Sequence, residues 1–346
     1  MVYTAFSTFV QKDYEILSKK FTVIKYQFTP SKKLIPMTLE LIKLMFYLVA
    51  NIVTLDILYC WFADFHSLLP TLFARLFKKR SVIVVGGFDA VAIPEIDFGV
   101  FIKNFRGSFA KYSFQLTDLI LPVDESLIDG TNTYLNDIAM PIGIKHFVKN
   151  IKAKIQTLPT GYDYNKWKRN ERVIREDIVL SIGIAPNWSI YQRKGFDLLF
   201  DIARIRSNTH FIIVGITEEM RKLIESDIPT NVELISFIPN KDLPNLFSRA
   251  KVFCQFSLSE GLPNTLCEAM LCECIAVGSN VNGIPKAIGD NGFILESRDS
   301  AKGAELIEQA IKAENDIGVR GRKRIINLFP HEKRQNELLN LLENLS

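Results

Sequence analysis

Glu260 and Glu268 stand with seven residues between them in the run SLSEGLPNTLCEAM, Ser257 to Met270. The run follows an apolar, β-rich stretch, KVFCQF at 251–256. Pro263 suits the first turn of a helix, because proline lacks the amide hydrogen that would go unsatisfied there, and Asn264, Thr265 and Leu266 continue the turn. A helix N-terminus at this point offers free N–H groups and the positive end of the helix dipole to phosphate oxygens, and Gly261 lets the backbone come near a ligand. Taken singly, Glu260 reads as a helix-start acid and Glu268 as a solvent-facing helical residue. Together with Gly261, Pro263 and the apolar Ala269-Met270-Leu271 face, they read as the two ends of a diphosphate site.

The elements that must carry this site follow a parallel-sheet rhythm, short apolar runs alternating with helical patterns. FTVIKYQF (21–28), LDILYCW (55–61), SVIVVGG (81–87), DLILPV (118–123) and KIQTLPT (154–160) form one series. After a polar segment, DIVLSIG (177–183), HFIIVG (210–215), NVELISF (231–237), KVFCQF, CIAVGS (274–279) and GFIL (292–295) form a second. Two such series predict an α/β protein with two Rossmann-like, doubly wound domains facing across a cleft, and ligands at the carboxyl ends of the strands. The expected division is residues 1–163 for the first domain and 164–329, the part that carries the diphosphate site, for the second. A helix at 330–346 is expected to pack back on the first domain. The N-terminal series opens on VYTAF without a glycine-rich turn, so the first strand reads as short, and Gly86-Gly87 is its weak counterpart of a phosphate cradle.

At 346 residues, 48% apolar and 23% charged, the chain is long enough for two cores and has the composition of a folded globular protein. Its five cysteines, an odd number without a secretory signal, read as reduced buried thiols, and no zinc spacing with a nearby histidine is present. The charge is uneven. Residues 1–80 carry 11 Lys and Arg against 5 Asp and Glu, residues 81–163 carry 7 against 9, and the remainder balances at 24 against 24. The stretch LMFYLVANIVTL (44–55) is shorter than a spanning helix needs, which leaves two readings: a buried core helix, or a helix that presents an apolar face to an anionic membrane surface. No nucleic-acid module accompanies the basic residues, so nucleic acid is not an expected partner.

The residues Glu260 to Met270 resemble the signature of family 4 retaining glycosyltransferases of the GT-B fold, E-G-x-P followed by E-A-M. The likeness extends to Lys194-Gly195, the strand ending at Gly215, the SFIPNKDLPNLFSRA block (236–250) and the CIAVGSNVNGIPKAIGDNGFI block (274–294). The resemblance implies transfer of a hexose-type sugar from a nucleoside-diphosphate sugar, of UDP or GDP type, to a saccharide or lipid-linked acceptor. It implies no cofactor. By resemblance Glu268 meets the ribose, Glu260 the transferred sugar, and the backbone of Leu262, Pro263, Asn264 and Thr265 the sugar and phosphates. Lys194 neutralises the leaving diphosphate, and Ile238 lies where the nucleobase rests. The chain has no Asp-x-Asp pair, so no metal-bridged diphosphate is expected. Expected localisation is cytoplasmic, peripheral at the inner face of the cell membrane.

Two departures stand out. Family members place an arginine about six residues before the lysine, where this chain has Trp188, in the loop GIAPNWSIYQRKG; Arg193 is the replacement cation, although adjacent side chains diverge. Many relatives carry a histidine after the fourth strand, where this chain has Gly86-Gly87-Phe88-Asp89. Asp89 is therefore the N-terminal candidate for orienting a hydroxyl, with a loop cap as its alternative. Competing readings are a sugar-nucleotide-binding scaffold without turnover, and another GT-B enzyme such as an epimerase or phosphorylase.

Overall fold

Apolar runs such as Val82–Val85 and Val179–Leu180 are fully buried, as strands covered on both faces must be. The computed structural model describes residues 1–135 and 139–345, and they divide into two units.

The first unit comprises Met1–Thr131, Pro141–Thr160 and the C-terminal helix from Glu332. Its elements are β1 (Val2–Tyr3), α1 (Thr8–Leu17), β2 (Tyr26–Gln27), α2 (Leu34–Asn51), β3 (Ile57–Trp61), α3 (Phe65–Leu76), β4 (Arg80–Val85), α4 (Asn104–Leu116) and β5 (Leu119–Pro122). A two-stranded ribbon, β6 (Gly130–Asn132) and β7 (Met140–Ile142), precedes α5 (Ile144–Phe147) and β8 (Lys154–Ile155). The sheet is parallel throughout, in the order β2-β1-β3-β4-β5-β8. The edge strands are shorter than their sequences suggested. FTVIKYQF contributes only Tyr26 and Gln27, because its partner β1 is itself two residues long and offers ladder positions only at Val2 and Tyr3.

The second unit comprises Asn132–Met140, of which 136–138 lie outside the described residues, and Gly161–His331. It runs β9 (Glu176–Ala185), α6 (Trp188–Arg193), α7 (Phe196–Ile205), β10 (His210–Ile216), α8 (Glu218–Ile224), β11 (Val232–Ile235), α9 (Leu243–Arg249), β12 (Ala250–Gln255), α10 (Asn264–Leu271), β13 (Ile275–Ser279), α11 (Ile284–Ile288), β14 (Gly292–Leu295), α12 (Ser300–Lys312) and α13 (Asp316–Leu328). All six strands are parallel, in the order β11-β10-β9-β12-β13-β14. This is the 3-2-1-4-5-6 order of a doubly wound sheet, and its direction of winding reverses between β9 and β12. Sheets of this order bind their ligands outside the carboxyl ends of the strands at such a reversal.

The last helix, α14 (His331–Glu343), packs within the first unit through a buried arginine. Arg334 Nε and NH2 donate to Asp13 Oδ1 and Oδ2, each at 2.8 Å, and Arg334 NH1 donates to the carbonyls of Leu158 and Pro159. Tyr59 and Trp61 of β3 donate to the same Asp13 carboxylate at 2.6 and 2.9 Å.

Candidate active site

At the winding reversal of the second unit, the loop after β9 carries Arg193 and Lys194, and the loop after β12 carries Glu260. The segment expected to be a loop, PNWSIYQRKG, is in part a helix. Asn187 caps it by accepting from Ile190 N at 3.1 Å, and the turn α6 follows. One turn is enough to swing Arg193 and Lys194 toward β12. Lys194 closes α6, and Gly195, with φ at +71°, starts α7; a Cβ there would land on the Phe256 carbonyl oxygen, so only glycine lets the two loops approach.

The donors converge on one oxygen. Glu260 Oε1 accepts from Lys194 Nζ at 2.6 Å, from Ser257 Oγ at 2.9 Å and from Gln255 Nε2 at 3.4 Å, and Arg193 NH1 lies 3.2 Å away. Arg193 also donates to Ser259 O at 2.9 Å, and Leu258 N donates to Arg193 O at 2.8 Å, so the two loops are knitted through backbone as well as charge. The expectation that Arg193 and Lys194 diverge is corrected here. Lys194 ends α6 and Arg193 lies in its last turn, and both side chains return to the same carboxylate. Burial works against the Glu260 charge, but Lys194 and Arg193 outweigh it and hold the carboxyl down at about 2. The Lys194 ammonium is pushed below its ordinary range by burial, with Glu260 opposing that push. Two cations face one carboxylate, so the cluster carries one positive charge in excess.

The signature loop is fixed from its far side. Asn282 Oδ1 accepts from Glu260 N at 3.0 Å, Gly283 N donates to Gly261 O at 3.0 Å, and Ser279 Oγ donates to Ser257 O at 2.7 Å. Asn132 Nδ2 adds a bond to Leu258 O at 2.8 Å. Pro263 sits one position earlier than expected, as the residue capping α10, and Asn264 and Thr265 form its half-buried first turn. Gly261 and Leu262 are buried. Glu268 is not solvent-facing: it is 3% exposed, like its neighbours along α10. Gly215 (φ +106°) is buried at the end of β10, where a side chain would strike the backbone of Gly183; Ile238 is half-buried in the loop beyond β11.

Trp188, in the position expected for an arginine, is half-exposed and stacks parallel on Tyr191 with ring centroids 5.2 Å apart. In the first unit, Asp89 is fully buried. Its Oδ2 accepts from Ala63 N at 2.9 Å and its Oδ1 from Gly86 N and Gly87 N at 3.1 and 3.2 Å. Burial raises its pKa to about 7 against the pull of those amides. The catalytic reading of Asp89 is therefore corrected to a tie between two strand-end loops, since both its oxygens are occupied and none of its surface reaches solvent. Ser257, Gln255, Asn282 and Asn132 were not foreseen. Ser257 had a local signal, a hydroxyl three residues before an acid; Gln255, five residues before Glu260, lies at the end of an apolar strand with no motif to mark it, and Asn282 and Asn132 lie too far along the chain for any spacing to point to them.

Residues 175–327 match the family described as Glycosyl transferases group 1. The chain is 25% identical over 169 residues to a phosphatidylinositol N-acetylglucosaminyltransferase subunit of Arabidopsis thaliana, a match covering 46% of this chain and 37% of that protein. It is 23% identical over 301 residues to N-acetyl-alpha-D-glucosaminyl L-malate synthase of Bacillus anthracis, covering 82% and 74%. The first curated relatives are thus matched over only about a fifth to a half of their own length. The solved structure of Anabaena Alr3699/HepE in complex with UDP and glucose superposes with a TM-score of 0.74 at 13% identity, covering 99% of each chain. The fold is GT-B, two Rossmann-like parallel-sheet domains in one chain, and the match to the glycosyl transferases group 1 model lies within the second.

Proposed function

We propose that this protein is a retaining, metal-independent glycosyltransferase that moves a hexose-type sugar from a nucleoside-diphosphate sugar to a saccharide or lipid-linked acceptor. The observation that carries the reading is the convergence of Lys194 and Arg193 on Glu260 at the winding reversal, beside the N-terminus of α10. A cluster with one excess positive charge, next to free helix N–H groups, suits a diphosphate whose negative charge grows as it leaves. In this reading Lys194 and Arg193 supply the positive charge that the departing diphosphate needs.

In the proposed reaction the acceptor hydroxyl oxygen forms a bond to the anomeric carbon on the face from which the nucleotide leaves. The bond from that carbon to the diphosphate oxygen breaks, and the acceptor proton passes to the departing phosphate. Glu260 holds sugar hydroxyls, Glu268 holds the ribose, and neither becomes covalently attached. The protein contributes positioning and charge stabilisation. UDP is the first donor nucleotide to test, because the HepE structure was solved with UDP and glucose. A lipid-linked acceptor is supported by the phosphatidylinositol in the name of the Arabidopsis relative. Five buried cysteine thiols suit a reducing compartment such as the cytoplasm.

The test is release of nucleoside diphosphate from a panel of UDP-, GDP- and ADP-sugars, with and without a membrane lipid extract. Release with one donor, lost in Glu260→Gln, is the expected result. Release undiminished in that variant sinks the site. Tight binding of every nucleotide, seen as a raised Tm, without release from any donor and acceptor pair, turns the reading into a binding scaffold.

A further inference from the structure

Helix α2 of the first unit is apolar on both faces, and only one face is used. Met37, Leu44 and Leu48 are buried against the rest of the unit. On the opposite side Ile35, Leu39, Ile42, Phe46, Val49 and, just past the helix end, Val53 follow one another at intervals of three and four residues. All six are exposed, Phe46 to 64% and Val53 to 82%. Residues at that spacing form one stripe along a helix, so they make a continuous apolar surface rather than scattered exposed side chains. The only acid on the helix, Glu40, is turned inward, accepting from Tyr26 Oη at 3.3 Å and Thr29 N at 3.4 Å.

Cations frame the stripe. Lys32 and Lys33 are exposed at its N-terminal end; Lys43, exposed on its flank, is paired with Glu40 at 3.5 Å. At the other end Lys79 Nζ donates to Val53 O at 3.2 Å, which brings the turn bearing exposed Lys78 beside the last apolar residue. We propose that this face of α2 seats the protein on an anionic membrane surface, with the helix lying flat, its stripe among the acyl chains and its lysines at the headgroups. The helix is long and apolar enough to cross a bilayer by length and composition, but its other face excludes that arrangement. It is joined by the short connections 28–33 and 52–56 to β2 and β3 of one sheet, and spanning would strip Met37, Leu44 and Leu48 from their packing. A second copy of the chain is a poorer occupant. Cations lie at both ends of the stripe, so a two-fold pairing in either direction sets lysine against lysine. Anionic headgroups reverse that repulsion. The proposal goes beyond the glycosyl-transfer reading and does not depend on it.

The experiment is co-sedimentation of the full-length protein with vesicles of phosphatidylcholine alone, or of phosphatidylcholine with phosphatidylglycerol, at low and high salt. The wild-type protein is expected to pellet with anionic vesicles and to be released by salt. Phe46→Ser with Val49→Ser should weaken binding roughly tenfold or more, with unchanged circular dichroism and Tm because both side chains are exposed. Lys32→Glu with Lys33→Glu should weaken it by about the same factor and abolish the preference for anionic lipid. The proposal is overturned if the wild type stays in the supernatant at low salt, or if the Phe46 and Val49 variant pellets as well as the wild type. It is also overturned if the protein ignores vesicles and forms a dimer in light scattering that the same variant dissociates. Each readout is independent of catalysis, so a failed transfer assay leaves it standing.

Discussion

Two ion clusters, one in each unit, are both withdrawn from solvent, the first fully and the second to side-chain exposures of 12–14%, and they differ in charge balance and in place in the sheet. In the first unit Asp13 and Arg334 are 0% and 3% exposed and meet in a bidentate pair, with Tyr59, Trp61 and two carbonyls taking up the remaining bonds. The charges balance one to one, and the cluster joins α1, β3 and α14. In the second unit two cations press on a single oxygen of Glu260, on loops at the carboxyl ends of β9 and β12. A balanced pair with its bonding capacity filled acts as a fastener. An unbalanced cluster at a winding reversal has charge left over for a ligand. Buried charge alone therefore does not mark a site; the surplus and its place in the sheet do.

The sharpest way to break this comparison is to cut the fastener. Asp13→Ala leaves Arg334 buried without its carboxylate and should cost about 3–5 kcal/mol in denaturant unfolding, while the folded fraction keeps its turnover. A loss of turnover per folded molecule would show that the first cluster also serves the reaction. Glu260→Gln is told apart by turnover per folded molecule, which should fall about 10²- to 10³-fold, the quantity that Asp13→Ala leaves unchanged. The two cations can then be ranked. Lys194→Met is expected to lower turnover about a hundredfold, and Arg193→Ala, whose guanidinium is also tied to Ser259 O, about tenfold. Equal losses would mean that Arg193 contacts the leaving group as closely as Lys194 does.

Titration gives a finer test. The Glu260 carboxyl lies at about 2, below its ordinary 4.5, so it contributes stability above pH 4.5 that is lost as the pH falls through 2. That contribution is on the order of 3 kcal/mol, and Glu260→Gln should remove this part of the acid dependence measured by unfolding. Asp89 has the opposite sign. Its pKa is raised to about 7 from 3.8, so the stability it contributes is full below 3.8 and lost as the pH rises through 7. Asp89→Asn should flatten that limb; its one amide oxygen can accept from Gly86 N and Gly87 N or from Ala63 N, and its NH2 then faces the other donor, so a modest loss of stability accompanies the change.

Much of the candidate site could be read locally. Glu260, Gly261, Pro263 and Glu268 fall within one strand-loop-helix unit, and the preferences of proline and glycine at a helix start depend on the nearest few residues. The alternation of apolar runs likewise announced two parallel sheets, because a strand covered on both faces must be apolar throughout. The small helix α6 was missed because its cap, Asn187, comes directly after a proline in a segment without apolar periodicity. Asp89 stayed open between orienting a hydroxyl and capping a loop, because sequence shows a carboxylate after a strand but not the three amides that enclose it.

What the sequence by itself determined about this protein is the chemistry within one turn or loop: a helix N-terminus flanked by two acids, and a Lys-Gly break before α7. What only the tertiary structure decided is which distant groups meet there. Asn282 reaches Glu260 N across 22 positions, Lys194 reaches Glu260 across 66, and Arg334 reaches Asp13 across 321. The physical reason is that local propensities act over a few residues, whereas these encounters follow from strand order. The order β10-β9-β12 set the two charged loops side by side, and the packing of one face of α2 left its other face bare.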